Sequence, residues 1–143
     1  MLMKKTLQEK KESLIQYFAQ ATTHEERYRL IIDLGKKQKP LSPDEKKTEN
    51  LVTGCQSRTY LTVKVEDPLV RFQIESEAQI SAGLGQLLVM IYDGEAPENI
   101  LKDTPTFLKE MNILPSLSPG RANGVIHMFH TMRKKVELAA SST

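Results

Sequence analysis

The sequence predicts an α+β domain in which a small antiparallel sheet is flanked by N- and C-terminal helices. Apolar residues recur every three or four positions toward both ends of the chain, which is typical of amphipathic helices. In the middle of the chain they alternate with polar residues, which indicates strands. The 143 residues, 39% of them hydrophobic, suit one folded domain. We expect that domain to span residues 1–143.

Two helices are predicted before the strands. The first covers residues 6–19, and its apolar stripe consists of Leu7, Leu14, Ile15 and Phe18. The second begins at Thr23, because Thr23 and Glu26 have the spacing of a capping box. Gly35 is expected to end this helix with a positive φ. Residues 36–50 contain two prolines and five lysines without a clear period, and we interpret them as an exposed connector.

A β-hairpin is predicted in the middle of the chain. Its alternating apolar positions are Leu61, Val63 and Val65, followed by Val70, Phe72 and Ile74. Asp67 and Pro68 stand between the two runs, where a turn is required. Because an isolated hairpin is only marginally stable in water, we expect a further partner for the sheet, either residues 51–52 or the helices.

A helix follows the hairpin and is expected to be largely buried. Ser76 and Gln79 have the spacing of another capping box, and Gly94 is placed to end the helix. Its apolar residues recur at three- and four-residue steps and are Ile80, Leu84, Leu87, Leu88 and Ile91.

Three more helices are predicted toward the C-terminus. A proline suits the first turn of each of two short helices, over residues 98–102 and 106–111. The last helix is capped by Ser118 and has Pro119 at its first position. Its core stripe is formed by Val125, Ile126, Phe129, Met132 and Val136.

Charge and hydropathy exclude several classes of partner. The net charge is +2, far from the dense positive charge that non-specific nucleic-acid binding uses. The longest apolar run, residues 87–92, is much shorter than the roughly 20 residues of a membrane span. The polar and charged residues at 8–12 are unlike the apolar stretch of a secretory signal. We therefore expect a cytoplasmic protein that binds neither nucleic acid nor membrane.

Cys55 is the only cysteine, so the chain by itself cannot form a disulfide, a Cys-x-x-Cys pair or a multi-cysteine metal site. It lies between the connector and the first strand, where a loop is expected. Gly54 permits unusual backbone angles beside it. Gln56 and Ser57 offer donors, and Arg58 offers positive charge, that favour a thiolate. Cys55 is therefore either a reactive thiol or a small buried hydrophobe.

His127 and His130 are three residues apart on the last helix, and together with Cys55 they could supply three metal ligands. We prefer the interpretation without a metal, because nothing in the sequence places this helix near Cys55. Arg121 and Asn123 follow the cap of the same helix. Arg121 either pairs with a carboxylate to hold the turn, the interpretation that we prefer, or faces a partner or the sulfur site.

Four sequence blocks together carry a family resemblance. They are EERY at 25–28 with IIDLG at 31–35, V-x-GCQS at 52–57, ESEA-x-I at 75–80 leading to Gly83 and Leu84, and LSP-x-R-x-NG at 117–124. With these blocks the chain resembles the SufE family of sulfur-acceptor proteins. The blocks stand in the family's order and spacing and cover most of the chain. Two positions depart from the family pattern, which usually has tryptophan at Tyr60 and lysine at Ala82.

The resemblance implies a SufE fold, similar to that of the U-type iron–sulfur scaffolds. It also implies that Cys55 takes sulfur as a persulfide from a SufS-type cysteine desulfurase, stimulates that enzyme, and passes the sulfur on for iron–sulfur cluster assembly by a downstream scaffold complex. The pyridoxal phosphate then belongs to the desulfurase, and we expect no cofactor in this chain. The alternative is an iron–sulfur scaffold or metal-binding module that uses Cys55 with His127 or His130.

Overall fold

The computed structural model describes residues 5–66 and 68–141, which contain two antiparallel strands, six α-helices and three short 3-10 helices. The strands are β1 (Thr59–Glu66) and β2 (Leu69–Ser76). The helices are α1 (Leu7–Ala19), α2 (His24–Gly35), α3 (Gln79–Tyr92), α4 (Pro97–Leu101), α5 (Phe107–Glu110) and α6 (Pro119–Ser141). A small antiparallel sheet with helices before and after it confirms the predicted α+β class.

Threonine caps begin the first two helices. The Thr6 hydroxyl accepts from the backbone N–H of Glu9, whose carboxylate accepts from the Thr6 N–H in return. At α2, the Thr23 hydroxyl accepts from Glu26 as predicted. The Glu26 carboxylate, however, accepts from the N–H of Thr22. The predicted cap by the Thr23 hydroxyl is therefore confirmed, whereas the Glu26 carboxylate binds the N–H of Thr22 and not that of Thr23.

Gly35 does not have the positive φ that the sequence predicts. It is the last residue of α2, and the positive-φ glycines of the described residues are Gly54 and Gly94. A Cβ atom on Gly35 would lie 2.8 Å from the backbone N of Gly83 and 3.1 Å from the Cβ of Ala82. Gly35 is thus required by the close approach of α2 to α3, and its role is in packing.

The hairpin pairs Thr59 with Ser76 at its open end and Glu66 with Leu69 at its turn. Pro68 lies in that turn, whereas Asp67 lies outside the described residues. Of the two predicted partners for the sheet, residues 51–52 form a single bridge between Leu51 and Tyr60, whereas the helices do pack on the sheet, α3 against β2 and α6 against β1. Residues 51–52 thereby cover one end of the β1 edge without extending the sheet.

α3 lies at the centre of the fold, and every residue from Ser81 to Leu88 is buried. Its predicted cap is wrong. The helix begins after Ala78 without a side-chain cap, and Ser76 instead ends β2 and accepts a hydrogen bond from the Thr59 hydroxyl at 2.9 Å. Gly94, with φ of +81°, follows the end of the helix as predicted.

α6 packs its predicted stripe into the core beside α3. The buried positions include Val125, Phe129, Met132 and Val136, and the rings of Phe129 and Tyr92 lie 5.5 Å apart. The Ser118 hydroxyl accepts from the N–H of Arg121 at 3.2 Å, which confirms the predicted cap. In the described ranges, no helix is both long and apolar enough to cross a bilayer.

Candidate active site at Cys55

Cys55 lies in a loop that packs against the first turns of α6. The base of the loop is closed by a hydrogen bond from the Val52 N–H to the Thr59 carbonyl at 2.8 Å. Gly54 has φ of +88°, a conformation that favours glycine. The Cys55 thiol is half-buried and donates to the carbonyl of Gly124 at 3.6 Å. Because a thiol is a weak donor, this hydrogen bond is weak, and the side chain also packs against the hydrophobic core.

Burial and two neighbouring groups affect the pKa of the Cys55 thiol, and burial has the largest effect. Burial raises the pKa of the thiol, because it penalises the charged form. The Thr59 hydroxyl and the positive charge of Arg121 oppose that rise. Burial of the sulfur in this position therefore favours the protonated thiol over the thiolate. Exposure of the thiol to solvent would remove the cost of burying the thiolate, which is the largest cause of the raised pKa.

Arg121 turns toward the loop from the first turn of α6. Its Nη1 donates to the hydroxyl of Ser81 at 2.7 Å and to that of Ser57 at 3.3 Å. From the sequence we preferred a carboxylate partner for Arg121, and this prediction is wrong. Among residues 5–66 and 68–141 no carboxylate forms an ion pair with Arg121, and the groups that face its guanidinium are hydroxyls. The charge is therefore not neutralised by a described ion pair, and it acts on Cys55.

A cluster of hydroxyl groups fixes the C-terminal side of the loop. Ser57 donates to Ser81 at 2.9 Å and lies 3.2 Å from the hydroxyl of Ser76. From the sequence, Ser57 is expected to be a donor to sulfur, but its hydroxyl faces this cluster. Ser76 and Ser81 belong to the site although the sequence does not predict them there. No local motif links these serines, since they come from the loop, the end of β2 and the start of α3.

The two histidines of α6 have different surroundings, and both are exposed. The ring of His127 lies over Gly54, whereas the ring of His130 packs at the edge of Phe129 with centroids 5.6 Å apart. Across the described chain, no group of three or more His, Cys, Asp or Glu residues is arranged to hold a metal ion. Asn123 is exposed at the start of α6. The geometry thus brings only His127 of this pair to the cysteine loop.

Comparison with known proteins assigns the family. The family model for SufE, described as an Fe-S metabolism associated domain, matches residues 12–136. The chain belongs to the SufE family. An uncharacterised SufE-like protein of Synechocystis sp. is 35% identical over 122 residues, which cover 85% of this chain and 77% of the relative. Membership in the SufE family connects the chain to iron–sulfur metabolism.

A solved structure supports the SufE fold independently. The solution structure of a hypothetical protein from Thermus thermophilus superposes with a TM-score of 0.77 and covers 92% of this chain and 96% of its own. The identity is 22%, so this likeness concerns the fold.

The two departures from the SufE pattern occupy packed positions. Tyr60 is half-buried and forms the bridge to Leu51 at the base of the cysteine loop. Ala82 is 4% exposed and faces Gly35 across the contact between α2 and α3. A small side chain at position 82 matches the close approach of these helices.

Proposed function

We propose that this chain accepts sulfane sulfur from a SufS-type cysteine desulfurase as a persulfide on Cys55 and passes it on for iron–sulfur cluster assembly. The half-buried Cys55 thiol, with the charge of Arg121 acting on it, is the observation that carries the proposal. The family places the chain in iron–sulfur metabolism, and this thiol is the single sulfur nucleophile in the sequence.

The transfer is a thiol exchange on sulfur. Cys55 first loses its proton to solvent. Its thiolate then attacks the outer sulfur of the partner's persulfide, a new S–S bond forms on Cys55, and the partner's cysteine leaves as a thiolate. No net oxidation occurs, because the sulfane sulfur only changes its carrier. The guanidinium of Arg121 favours both anionic states of residue 55, the thiolate and the persulfide.

A single cysteine suits a carrier. A second thiol nearby would attack the persulfide, form a disulfide and release sulfide. In this proposal the pyridoxal phosphate works in the desulfurase, and the chain itself carries sulfur without a cofactor. The alternative function, a cluster scaffold or metal module that uses Cys55 with His127 or His130, gains no support from the described residues.

Intact-mass spectrometry tests the proposal directly. The protein is incubated with a SufS-type desulfurase and free cysteine, and we expect one added sulfur atom that reductant removes. Cys55→Ser is the control, because it preserves the size of the side chain. It should fold, gain no sulfur and fail to stimulate the desulfurase. An unmodified Cys55 beside a desulfurase that is turning over would contradict the proposal. Metal analysis and visible absorption spectra would detect the alternative.

A further inference from the structure

The cysteine loop and α6 fit together through three glycine contacts. At two of them α6 supplies the glycine and the loop supplies the side chain. At the third, the loop supplies the glycine and α6 supplies the side chain. The pairs are Gln56 on Gly120, Cys55 on Gly124, and His127 on Gly54. Residues 120, 124 and 127 share one helix face, because they are separated by four and three positions.

His127 contacts the loop at the residue directly before the cysteine. A Cβ atom on Gly54 would lie 2.5 Å from Cδ2 of His127 and 2.6 Å from Cγ, so the ring occupies the space that a side chain would fill. Movement of the Cys55 backbone away from α6 would therefore break this packing contact.

The contact is made by the body of the ring. In residues 5–66 and 68–141, neither ring nitrogen of His127 has a hydrogen-bond partner, and the polar contact of this residue is its backbone carbonyl, which accepts from the Thr131 hydroxyl at 2.8 Å. We therefore attribute the effect of His127 on the loop to van der Waals packing of its planar ring.

We infer that His127 is a positioning residue for Cys55: its ring, seated on Gly54, holds the loop on α6 and keeps the thiol in its half-buried position. This inference deepens the proposed function, since the thiol must leave that position to reach a persulfide in another protein. The remaining direct contacts of the sulfur are weak, and the serine cluster fixes only the far side of the loop.

Reaction of the full-length protein with an aromatic disulfide reagent tests this inference without any desulfurase. His127→Ala should react about twofold to tenfold faster, which corresponds to about 0.5–1.4 kcal/mol of lost ring packing at 1.4 kcal/mol per tenfold. His130→Ala is the matched control, and its rate should stay at that of the unaltered chain. His127→Phe should also retain the slow rate, because it keeps a planar ring.

An unchanged rate in His127→Ala would overturn the inference, and so would equal acceleration in His130→Ala. A fast His127→Phe would overturn it as well, because the ring nitrogens would then be responsible. None of these results bears on sulfur transfer. That function fails separately, when the unaltered Cys55 gains no sulfur from an active desulfurase.

Two further measurements separate a local effect from general loosening. Because burial is the largest cause of the raised pKa of Cys55, His127→Ala should shift the pH profile of the thiol reaction to lower pH while Arg121 and Thr59 stay in place. Thermal unfolding should show little change in stability, since the higher helix propensity of alanine, by roughly 0.5 kcal/mol, offsets part of the lost ring contact. An unshifted profile, or a large loss of stability that accounts for the faster reaction, would overturn the inference.

Discussion

The Nη1 atom of Arg121 donates a hydrogen bond to the Oγ atom of Ser81 at 2.7 Å. This bond joins the first turn of α6 to the first turn of α3, so two helices of the core determine where the guanidinium stands. Because the charge of Arg121 lowers the pKa of Cys55 against the effect of burial, the same bond fixes the electrostatic surroundings of the sulfur.

Arg121→Gln should raise the pKa of the Cys55 thiol further. The substitution removes the positive charge that stabilises the thiolate and leaves burial less opposed. The pH profile of the thiol reaction should then move to higher pH. Arg121→Lys is the control, because it keeps the charge and should give a smaller displacement. Identical pH profiles of the thiol reaction for Arg121→Gln and the unaltered protein would show that the charge of Arg121 does not affect the pKa of Cys55.

Ser81→Ala should destabilise the fold by about 1–3 kcal/mol. The hydroxyl is 2% exposed and accepts from both Arg121 and Ser57, and loss of a buried acceptor leaves its donors unsatisfied. Denaturant unfolding measures the change. Ser13→Ala, on the exposed side of α1, is the comparison and should have little effect. Equal stability of the two variants would argue against the cluster as a structural unit.

Two glycine substitutions should have opposite effects. Gly35→Ala should destabilise the protein by about 1–3 kcal/mol through overpacking, because the new Cβ meets the backbone N of Gly83 at 2.8 Å. Gly124→Ala places its Cβ at an ordinary 3.6 Å from the sulfur of Cys55, and it should stabilise α6 by up to about 1 kcal/mol. Thermal and denaturant unfolding of both variants provide the comparison.

Stability should fall in acid partly through Glu75. Lys46, at 2.9 Å, and the backbone N–H of Leu41 hold the pKa of this carboxyl below its usual value. A lowered folded-state pKa contributes stability above the unfolded pKa, and that contribution disappears as the pH falls through the folded value. The free energies of unfolding of Glu75→Gln and the unaltered protein should therefore differ near neutral pH and converge in strong acid.

Glu49→Gln serves as the control for that experiment. Its side chain is 78% exposed, and its ion pair with Lys47 is long, at 3.8 Å. The substitution should leave the acid unfolding curve almost unchanged. A Glu75→Gln curve that runs parallel to that of the unaltered protein at every pH would contradict the assignment.

Local pattern predicted the elements well. Alternation gave the hairpin and its apolar face, and three- and four-residue spacing gave the helices, including the stripe of α6 around Phe129. These signals depend on residues that are neighbours in the chain. The cysteine loop followed from Gly54 and Cys55 standing between a polar connector and a strand.

Contacts between distant segments were not predictable in this way. Ser76 has the spacing of a helix cap, yet its hydroxyl is used by Thr59 in the hairpin. Gly35 looks like a helix terminator, yet the approach of α3 determines its role. The ring of His127 reaches Gly54 only because α6 and the loop pack side by side. Each of these outcomes depends on how elements dock, which local periodicity does not encode.

At Gly54, the side chain that packs on the loop comes from α6 and not from the Gly-Cys-Gln-Ser segment that carries the sulfur. His127 stands outside the loop, at an exposed position of α6. If Cys55 carries sulfur as proposed, the time for which that sulfur stays sheltered would depend on the volume of residue 127, more than 70 positions further along the chain.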